Sequence, residues 1–367
     1  MLDTRHPNFG IIEFSGSAHE RGFQYGEKFA ENISEMLNRS YGFYKEVANL
    51  SREAVLKTAS KFRPFIEEYS DEIAQELQGV SDGSKRTIEE ITLLTAFNEI
   101  QFYYAAARVT YGRTSGCTSF CVTGATSENG ETIIGQNNDG SLQPNLDEYD
   151  FLMKLRTDSG VELLTLTIMG CPAFVGLNSK GIALCINALS DGEFRIGVPF
   201  SVITRKILGS KNIGEAIDAV ITPERGAGAN YLIADENGEC YDFETTARGF
   251  NYFYVEKHLG HANHYLTRTI SGKEIAHPTR VSTIVRGNRI NKLLNNHSGK
   301  INIETCFGFL KDHVNYPTSI CTHPNEDLPP EMAMKTMDAV LMSPARRELH
   351  ITRDNPCKVP FKKYTLE

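Results

Sequence analysis

The feature that most constrains the fold of this chain is a change of hydrophobic period near residue 117. From about residue 18 to residue 107, apolar side chains recur at mixed three- and four-residue steps, which is the spacing of an amphipathic helix face. From Cys117 onward, apolar and polar residues alternate in short runs separated by turn signals, a pattern typical of antiparallel strands. The sequence therefore predicts a mostly helical N-terminal segment followed by an antiparallel α+β core.

Three helices are predicted in the N-terminal segment. The first carries the apolar residues of 23–44, and the second those of 62–77, with Pro64 in its first turn. Thr87 followed by Glu90 resembles a capping box, which predicts the start of the third helix.

Short turns predict a series of hairpins in the core, because loops of this length join antiparallel neighbours. The predicted hairpins join 117–125 to 131–138, 150–156 to 161–169, 173–178 to 182–189, and 229–235 to 239–245. Helices are predicted at 199–208, after Asn212 as N-cap to about 221, at 279–295 and at 303–313, and strands at 318–322, 333–342 and 347–352. Since each element buries one face, we expect a four-layer αββα sandwich of two antiparallel sheets with helices outside.

Composition excludes several classes of partner. The 367 residues carry a formal net charge of -8, which argues against nucleic acid as a partner. No apolar run approaches the ~18 residues that span a bilayer, and the first residues lack the layout of a signal peptide, so we expect a cytoplasmic protein. The eight cysteines should be reduced there, and they form no CxxC pair. We predict neither a cofactor nor a bound metal.

Cys117 stands at the boundary between the two patterns. A lone cysteine is more often a small buried hydrophobe than a nucleophile. The alternative is that the chain is cut between Gly116 and Cys117, which would make 1–116 a pro-segment that stays as a small subunit on a 117–367 catalytic core. The new α-amine, with an ordinary pKa of about 7.7–8.0, could then take the thiol proton. The thiolate would attack an acyl carbonyl and form a thioester, which water or an amine resolves.

The same thiol could drive the cut by attacking the Gly116 carbonyl in an N-to-S acyl shift, followed by hydrolysis. Glycine suits that position because it tolerates unusual backbone angles and close approach. The predicted hairpin brings residues near 137–139 back towards Cys117, so Asp139 could orient the new ammonium group. The alternative for Asp139 is a turn residue before Gly140.

Two motifs around this cysteine carry a family resemblance. Gly116-Cys117-Thr118-Ser119-Phe120, followed by Gly135-Gln136-Asn137-Asn138-Asp139, resembles the penicillin acyltransferase (isopenicillin N acyltransferase-like) family of N-terminal nucleophile hydrolases, which cleave themselves between a glycine and a cysteine. Further matches follow in the family order, at Gly16–Gly22 with Gly26, Asn98-Glu99, Asn178 with Gly181, Asn230–Asp235, His261–His264, and Ser319–Cys321 with His323.

The resemblance implies roles for several residues. Cys117 corresponds to the nucleophile, Asp139 to the family aspartate, and Asn263 to the asparagine of the oxyanion hole, where an amide donor contributes roughly 3–4 kcal/mol to transition-state stabilisation. Asn137 and Asn138 are possible neighbours of the site. Thr118 either assists autocleavage through its hydroxyl or is an ordinary strand residue.

The sequence departs from the family pattern at Thr322, where arginine is common. Related enzymes use an active-site arginine, for which Arg280, Arg286 and Arg289 are candidates here, with Arg286 kept as possible support. For each of them a solvated charge on a helix is the favoured interpretation.

The function expected from these residues is hydrolysis or acyl transfer at a non-peptide C–N amide bond of a small molecule, with hydrolysis preferred because water needs no second binding site. Substrates implied by the resemblance are N-acyl amines, β-alanyl amines and acyl-CoA-type thioester donors, and the cleaved N-terminal fragment is an expected partner. A non-catalytic scaffold with an uncut chain is the first alternative. A zinc site of Cys117, Cys121, His261 and His264, or a papain-like pair of Cys117 with His261, His264 or His313, are the others.

Overall fold

A computed structural model of the chain describes residues 10–105, 115–141, 149–189, 192–270, 273–274, 281–329 and 333–366. The helices in these ranges are α1 (Ala18–Lys28), α2 (Ala30–Ala48), α3 (Arg52–Ala59), α4 (Arg63–Tyr69), α5 (Asp71–Ser84), α6 (Ile88–Thr95), α7 (Phe97–Ala105), α8 (Phe200–Leu208), α9 (Ile213–Ile221), α10 (Val281–His297) and α11 (Ile303–Leu310).

The strands fall mostly after residue 114. They are β1 (Ile11–Phe14), β2 (Ser115–Val122), β3 (Ile133–Ser141), β4 (Asp150–Arg156), β5 (Glu162–Ile168), β6 (Val175–Asn178), β7 (Ile182–Ala188), β8 (Ala229–Asp235), β9 (Cys240–Thr245), β10 (Phe250–Tyr254), β11 (His258–His261), β12 (Thr269–Ile270), β13 (Lys273–Glu274), β14 (Met334–Ser343), β15 (Glu348–Arg353) and β16 (Lys362–Thr365). The four predicted hairpins are present, with ends shifted by a few residues.

These strands form two large sheets. The first has eight strands in the order β1-β4-β5-β6-β7-β8-β9-β10, and the second has six in the order β11-β2-β3-β14-β15-β16. Neighbours in both sheets pair antiparallel, except that β1 lies parallel to β4. Strand β1 therefore contributes the N-terminal segment to the edge of the first sheet.

The sheets pack face to face and carry helices on their outer faces. Strands β2 and β3 contact β7 across the interface, α8 and α9 pack on the eight-stranded sheet, and α10 and α11 pack on the six-stranded sheet. The expected αββα sandwich is therefore confirmed. In the described part of the chain, none of the helices combines the length and apolar character needed to cross a bilayer.

The N-terminal segment is helical as predicted, but its described residues are divided into seven helices instead of three. The predicted helix of 23–44 is split at Phe29, which ends α1 and precedes α2. The Thr87 and Glu90 capping box is present at the start of α6. The apolar run of 62–77 does not form one helix, because Ser70 adopts an extended conformation and its side chain accepts from the Ile73 N–H as the N-cap of α5.

One predicted strand is wrong. Residues 318–322 form bends instead of a strand, and their backbone groups bond elsewhere: Cys321 N donates to the Asp312 carbonyl, and the Ile320 carbonyl accepts from the Asn137 side chain. The segment therefore folds back on the chain that follows α11.

The N-terminal glycine motif has a packing role. Helices α1 and α5 cross so closely that a Cβ at Gly22 would lie 1.9 Å from the Glu76 carbonyl oxygen, and one at Gly26 would lie 2.3 Å from that of Val80. Because these neighbours are backbone atoms, a side chain could not be accommodated by a rotamer change. The two glycines thus allow the N-terminal segment to pack as a unit.

Candidate active site

Cys117 lies inside strand β2, which continues through the predicted scissile bond back to Ser115. On one side β3 pairs Cys117 with Asn138, and on the other β11 ends at His261, opposite Ser119. The chain that leaves β11 therefore passes beside Cys117. The thiol side chain is 4% exposed, so this cysteine is well shielded in the uncut chain.

Asn263 reaches Cys117 from just beyond β11. The Cys117 N–H donates to Asn263 Oδ1 at 2.8 Å, and Asn263 Nδ2 donates to the Ala188 carbonyl at 3.2 Å. Arg286 donates to the same Oδ1 at 3.0 Å. Two donors that meet at one atom identify it as the amide oxygen, so the orientation of this amide follows from its partners.

Gly116 faces Asp139 directly across the hairpin. A Cβ at position 116 would lie 3.2 Å from Asp139 Oδ2. Gly116 lies in an extended strand, so the expectation that glycine supplies an unusual backbone angle here is not what the structure shows. Its missing side chain instead leaves room for a carboxylate beside the predicted scissile bond.

Two hydroxyl groups hold the Asp139 carboxylate. Thr336 donates to Oδ1 at 2.7 Å, and Thr322 donates to Oδ2 at 3.2 Å. Asp139 is buried, so it is fixed in direction as well as in position. Asp139 is thus a buried strand residue and not the turn residue of the alternative interpretation.

In the sequence, Thr322 stands out only as a departure from the family pattern, and no local signal marks Thr336. The register of β14 on β3 places Thr336 opposite Asp139. That pairing joins residues almost two hundred positions apart, so no local pattern could have revealed it. Thr322 now has an observed contact in the site, with its hydroxyl on the carboxylate.

Arg286 projects from the buried face of α10 into the site. Its Nη1 donates to the Cys117 carbonyl and, at 2.7 Å, to Thr118 Oγ1. Burial lowers the pKa of the guanidinium, whereas Asp139 and Cys117 act to raise it. The interpretation of Arg286 as a solvated charge is therefore wrong, because the side chain is 4% exposed.

The other arginine candidates lie elsewhere. Arg289 pairs with Asp312 at 2.6 Å, and Arg280 falls outside the described residues. A signal for Arg286 was present in the sequence, because it shares a helical face with Thr283, Ile290 and Leu294, all of them buried.

Strand alternation separates the thiol from the charged groups. Cys117 faces the partner sheet, where the Ala188 backbone lies beside it, whereas Gly116 and Thr118 face the helical layer with Asp139 and Arg286. Burial raises the pKa of the Cys117 thiol to about 12, the Asp139 charge adds to that shift, and Arg286 opposes it. The thiol of the uncut chain is therefore protonated at neutral pH.

The two predicted asparagine neighbours have different contacts. Asn138 lies beside Cys117 and donates to Asp338 at 2.5 Å. Asn137 points to the helical layer, where its Nδ2 donates to the carbonyls of Leu310 and Ile320 at 2.9 Å and 2.8 Å. Asn137 therefore holds the folded-back segment after α11 and does not approach the thiol.

The histidine alternatives gain no support from the geometry. His261 binds Glu244 at 3.0 Å and the Ala262 carbonyl at 2.7 Å, and His264 binds Thr283 at 2.9 Å. His313 contacts His323 at 3.1 Å.

The zinc set that contains Cys121 fails on distance. Cys117 and Cys121 are four residues apart on one strand, about 13 Å, which is too far to share one metal ion.

A four-layer αββα sandwich of two antiparallel sheets is the fold of the N-terminal nucleophile hydrolases. The sequence profile described as acyl-coenzyme A:6-aminopenicillanic acid acyl-transferase matches residues 125–358, more than half of the chain. The chain belongs to this family, which confirms the predicted resemblance.

Individual relatives are distant in sequence. The 40 kDa form of acyl-coenzyme A:6-aminopenicillanic-acid-acyltransferase from Emericella nidulans is 23% identical over 326 residues, covering 84% of each chain. The Caenorhabditis elegans N-acylethanolamine-hydrolyzing acid amidase ortholog is 13% identical with a TM-score of 0.46, covering 68% of this chain and 100% of that one. A mutant of the conjugated bile acid hydrolase from Clostridium perfringens is 11% identical with a TM-score of 0.44, covering 68% of this chain and 97% of that one.

Proposed function

We propose that this protein is a cysteine amidohydrolase or acyltransferase that activates itself by cleaving the Gly116–Cys117 bond. The observation that carries the proposal is the set of groups around that bond. Asn263 Oδ1 accepts from the Cys117 N–H, Arg286 donates to the Cys117 carbonyl, and Asp139 lies across from Gly116.

Cleavage begins with the Cys117 thiol. Its sulfur attacks the Gly116 carbonyl carbon, the C–N bond breaks, and the nitrogen takes the thiol proton and becomes an amine. Water then hydrolyses the Gly116 thioester, which gives a carboxylate at Gly116 and restores the thiol. The small Gly116 favours this attack because it lets neighbouring groups approach the carbonyl closely.

The new α-amine becomes the catalytic base. Its ordinary pKa of about 7.7–8.0 lies near neutral pH, so it takes the thiol proton without a histidine. Asp139 stabilises the resulting ammonium from the helical side of the strand, while Asn263 Oδ1 already accepts from the same nitrogen. The carboxylate thus acts through the amine, since the thiol points to the opposite face.

The acylation step needs donors for the developing oxyanion. Asn263 Nδ2 lies at the thiol side of the strand, beside Ala188, and supplies one such donor. Arg286 keeps the Asn263 oxygen in place and thereby directs this N–H group. Cys117 and Asn263 touch the reacting atoms, whereas Arg286 and Thr118 position them.

The substrate class we propose is a small-molecule amide or acyl thioester. The Emericella relative is named for an acyl-coenzyme A donor and a 6-aminopenicillanic acid acceptor. Hydrolysis of an N-acyl amine is preferred here because water requires no second binding site. Cleaved residues 1–116 remain bound to the core as its partner.

Denaturing gel electrophoresis and intact mass spectrometry of the purified chain test the cleavage. We expect fragments 1–116 and 117–367 from the wild type and a single chain from Cys117→Ala. Cys121→Ala is the matched control, because Cys121 is also buried on the same face of β2, and it should be cut normally.

An intact wild-type chain after prolonged incubation, with no thiol reactivity at Cys117, would favour a non-catalytic scaffold. The matured protein is then assayed on N-acyl amines and acyl thioesters, each with and without an added amine acceptor. Product that forms only with the acceptor present would replace hydrolysis by acyl transfer.

A further inference from the structure

Four metal-ligating side chains converge outside the site described above. They come from three separate places: the chain just after α11, the segment 318–323 that folds back on it, and the turn after β15. Their ligand atoms all lie within 4.8 Å of one another, and the residues are His313, Cys321, His323 and Cys357. We propose that these residues bind one Zn²⁺ ion as a closed structural site.

Four of the six distances between the ligand atoms are close to tetrahedral edges, and the two from His313 to the sulfurs lie within 4.8 Å. With Zn–S bonds of about 2.3 Å and Zn–N bonds of about 2.0–2.1 Å, tetrahedral edges are roughly 3.8 Å for S to S, 3.6 Å for S to N and 3.3 Å for N to N. The observed separations are 3.6 Å between the two sulfurs, 3.6 Å and 3.4 Å from each sulfur to His323 Nε2, and 3.1 Å between the two Nε2 atoms.

The donor set selects the metal. Two thiolates with two imidazoles in tetrahedral array are typical of zinc, whereas calcium and magnesium prefer oxygen ligands. Four protein ligands leave no open position for water, which is the hallmark of structural zinc as opposed to catalytic zinc. The ion would therefore hold three chain segments together and take no part in the reaction.

An outer partner supports the sulfur ligands. Asn355 is fully buried, and its Nδ2 donates to Cys321 Sγ at 3.4 Å and to the Thr322 carbonyl at 2.7 Å. Hydrogen bonds of this kind orient a thiolate towards its metal.

Simpler explanations account for only part of the cluster. A disulfide between Cys321 and Cys357 needs a sulfur separation of about 2.05 Å and gives the two imidazoles no role. A hydrogen bond between His313 and His323 explains that pair but not the two sulfurs beside it. A shared cation explains why all four ligand atoms meet.

The cluster is joined to the active site through one residue. Thr322 lies between two of the ligands, Cys321 and His323, and its hydroxyl donates to Asp139. The zinc would fix this segment from its outer side, while Asn137 holds it from the core by donating to two backbone carbonyls. The predicted absence of a metal, and the zinc set considered from sequence, both differ from this proposal.

The test measures metal in the full chain, purified without chelators. We expect about one zinc per chain by inductively coupled plasma mass spectrometry. Replacing zinc with Co²⁺ should produce tetrahedral d–d bands and a thiolate charge-transfer band. Cys357→Ser and His313→Ala should each lower the retained zinc at least about tenfold after dialysis, and Cys357→Ser should weaken the charge-transfer band.

Matched controls are Cys171→Ser and His297→Ala, which alter a free cysteine and an exposed histidine outside the cluster and should keep full zinc. Cys117→Ala should also keep it, so this readout is independent of the catalytic proposal. A wild type that contains no zinc and gives no Co²⁺ spectrum would overturn the proposal. A zinc content unchanged in both ligand variants, or a Cys321–Cys357 disulfide in the intact mass, would do the same.

Discussion

At two places in this molecule, buried arginines differ in the groups that accept their hydrogen bonds. Arg21 of α1 and Arg205 of α8 both donate to the Glu76 carboxylate, at 2.7 Å and 2.6 Å, and Glu72 lies within reach of both. Arg286 instead donates to a backbone carbonyl, a hydroxyl and an amide oxygen around Cys117. In the first cluster, carboxylates neutralise the two guanidinium groups. At the second site, the positive charge of Arg286 lies beside the Cys117 carbonyl, next to the predicted scissile bond.

The difference separates a structural role from a chemical one. Glu76 and Arg21 belong to the N-terminal segment and Arg205 to the core, so the first cluster joins the two parts across the predicted cut. Glu99 makes a second such link by accepting from the Phe200 N–H at 2.7 Å. These contacts would keep 1–116 bound to the core after cleavage. The groups around Cys117 would carry out the cleavage itself.

The largest effect is expected at the chemical cluster, from Asp139→Asn. The amide retains the shape of the side chain but not the charge that stabilises the ammonium, so cleavage and turnover should each fall by about 10²–10⁴-fold. Gel time courses and the substrate assay measure this. Asp235→Asn, which changes a buried aspartate at the end of β8, should react like the wild type. Normal cleavage in Asp139→Asn would remove the aspartate from the mechanism.

At the structural cluster, Glu76→Ala should lower the free energy of unfolding by about 3–5 kcal/mol, because it leaves two buried arginines without their shared carboxylate. Urea unfolding is measured in the Cys117→Ala background, where both segments stay covalently joined. The matched variant Glu72→Ala should lose less, since the Glu72 side chain is 26% exposed and water can replace it. Equal losses would contradict the assigned difference.

The second link predicts a pH dependence. Burial raises the pKa of Glu99 from 4.5 to about 7, so its contribution to stability is fully present below pH 4.5 and is lost as the pH rises through 7. Glu99→Gln stays neutral and should match the wild type at pH 4 but exceed it by up to about 3 kcal/mol at pH 8.5. Urea unfolding at both pH values checks this, and a constant difference between them would exclude Glu99 as the titrating group.

The smallest effects should come from the hydroxyls on Asp139. Thr336→Val removes the 2.7 Å hydrogen bond and should slow cleavage about tenfold, because bonds to charged groups contribute about 1.5–3 kcal/mol. Thr322→Val removes the 3.2 Å bond and should slow it less. Cleavage rates from the same gel assay rank the two variants. The reverse order would show that the Thr322 hydroxyl contributes more to cleavage than the Thr336 hydroxyl.

Local signals were sufficient for the four hairpins of the core and for several helix starts. The hairpin of β4 and β5 and the N-cap of α9 at Asn212 depend on neighbouring residues, and both are present as predicted. The run of 62–77 failed because apolar spacing cannot detect a break at Ser70, where a polar side chain competes for the backbone. The strand expected at 318–322 failed because distant groups take up its hydrogen bonds.

The candidate site divides in the same way. Cys117, Asp139 and Gly116 share one hairpin, so their proximity followed from a turn and a register. Arg286 and Thr336 arrive from α10 and β14, and their selection depends on packing between elements far apart in sequence.

By itself, the sequence determined the change from helical to strand structure, the hairpin that places a carboxylate beside Gly116-Cys117, and the family of the chain. The first two features depend on period and turn chemistry, which act between near neighbours, whereas the family follows from motifs that resemble it in order along the chain. Only the tertiary structure decided which arginine enters the site, which hydroxyls hold Asp139, and where His313, Cys321, His323 and Cys357 meet. Contacts between residues so far apart in sequence require the closure of long loops. They are determined by the packing of all the layers and not by any one segment.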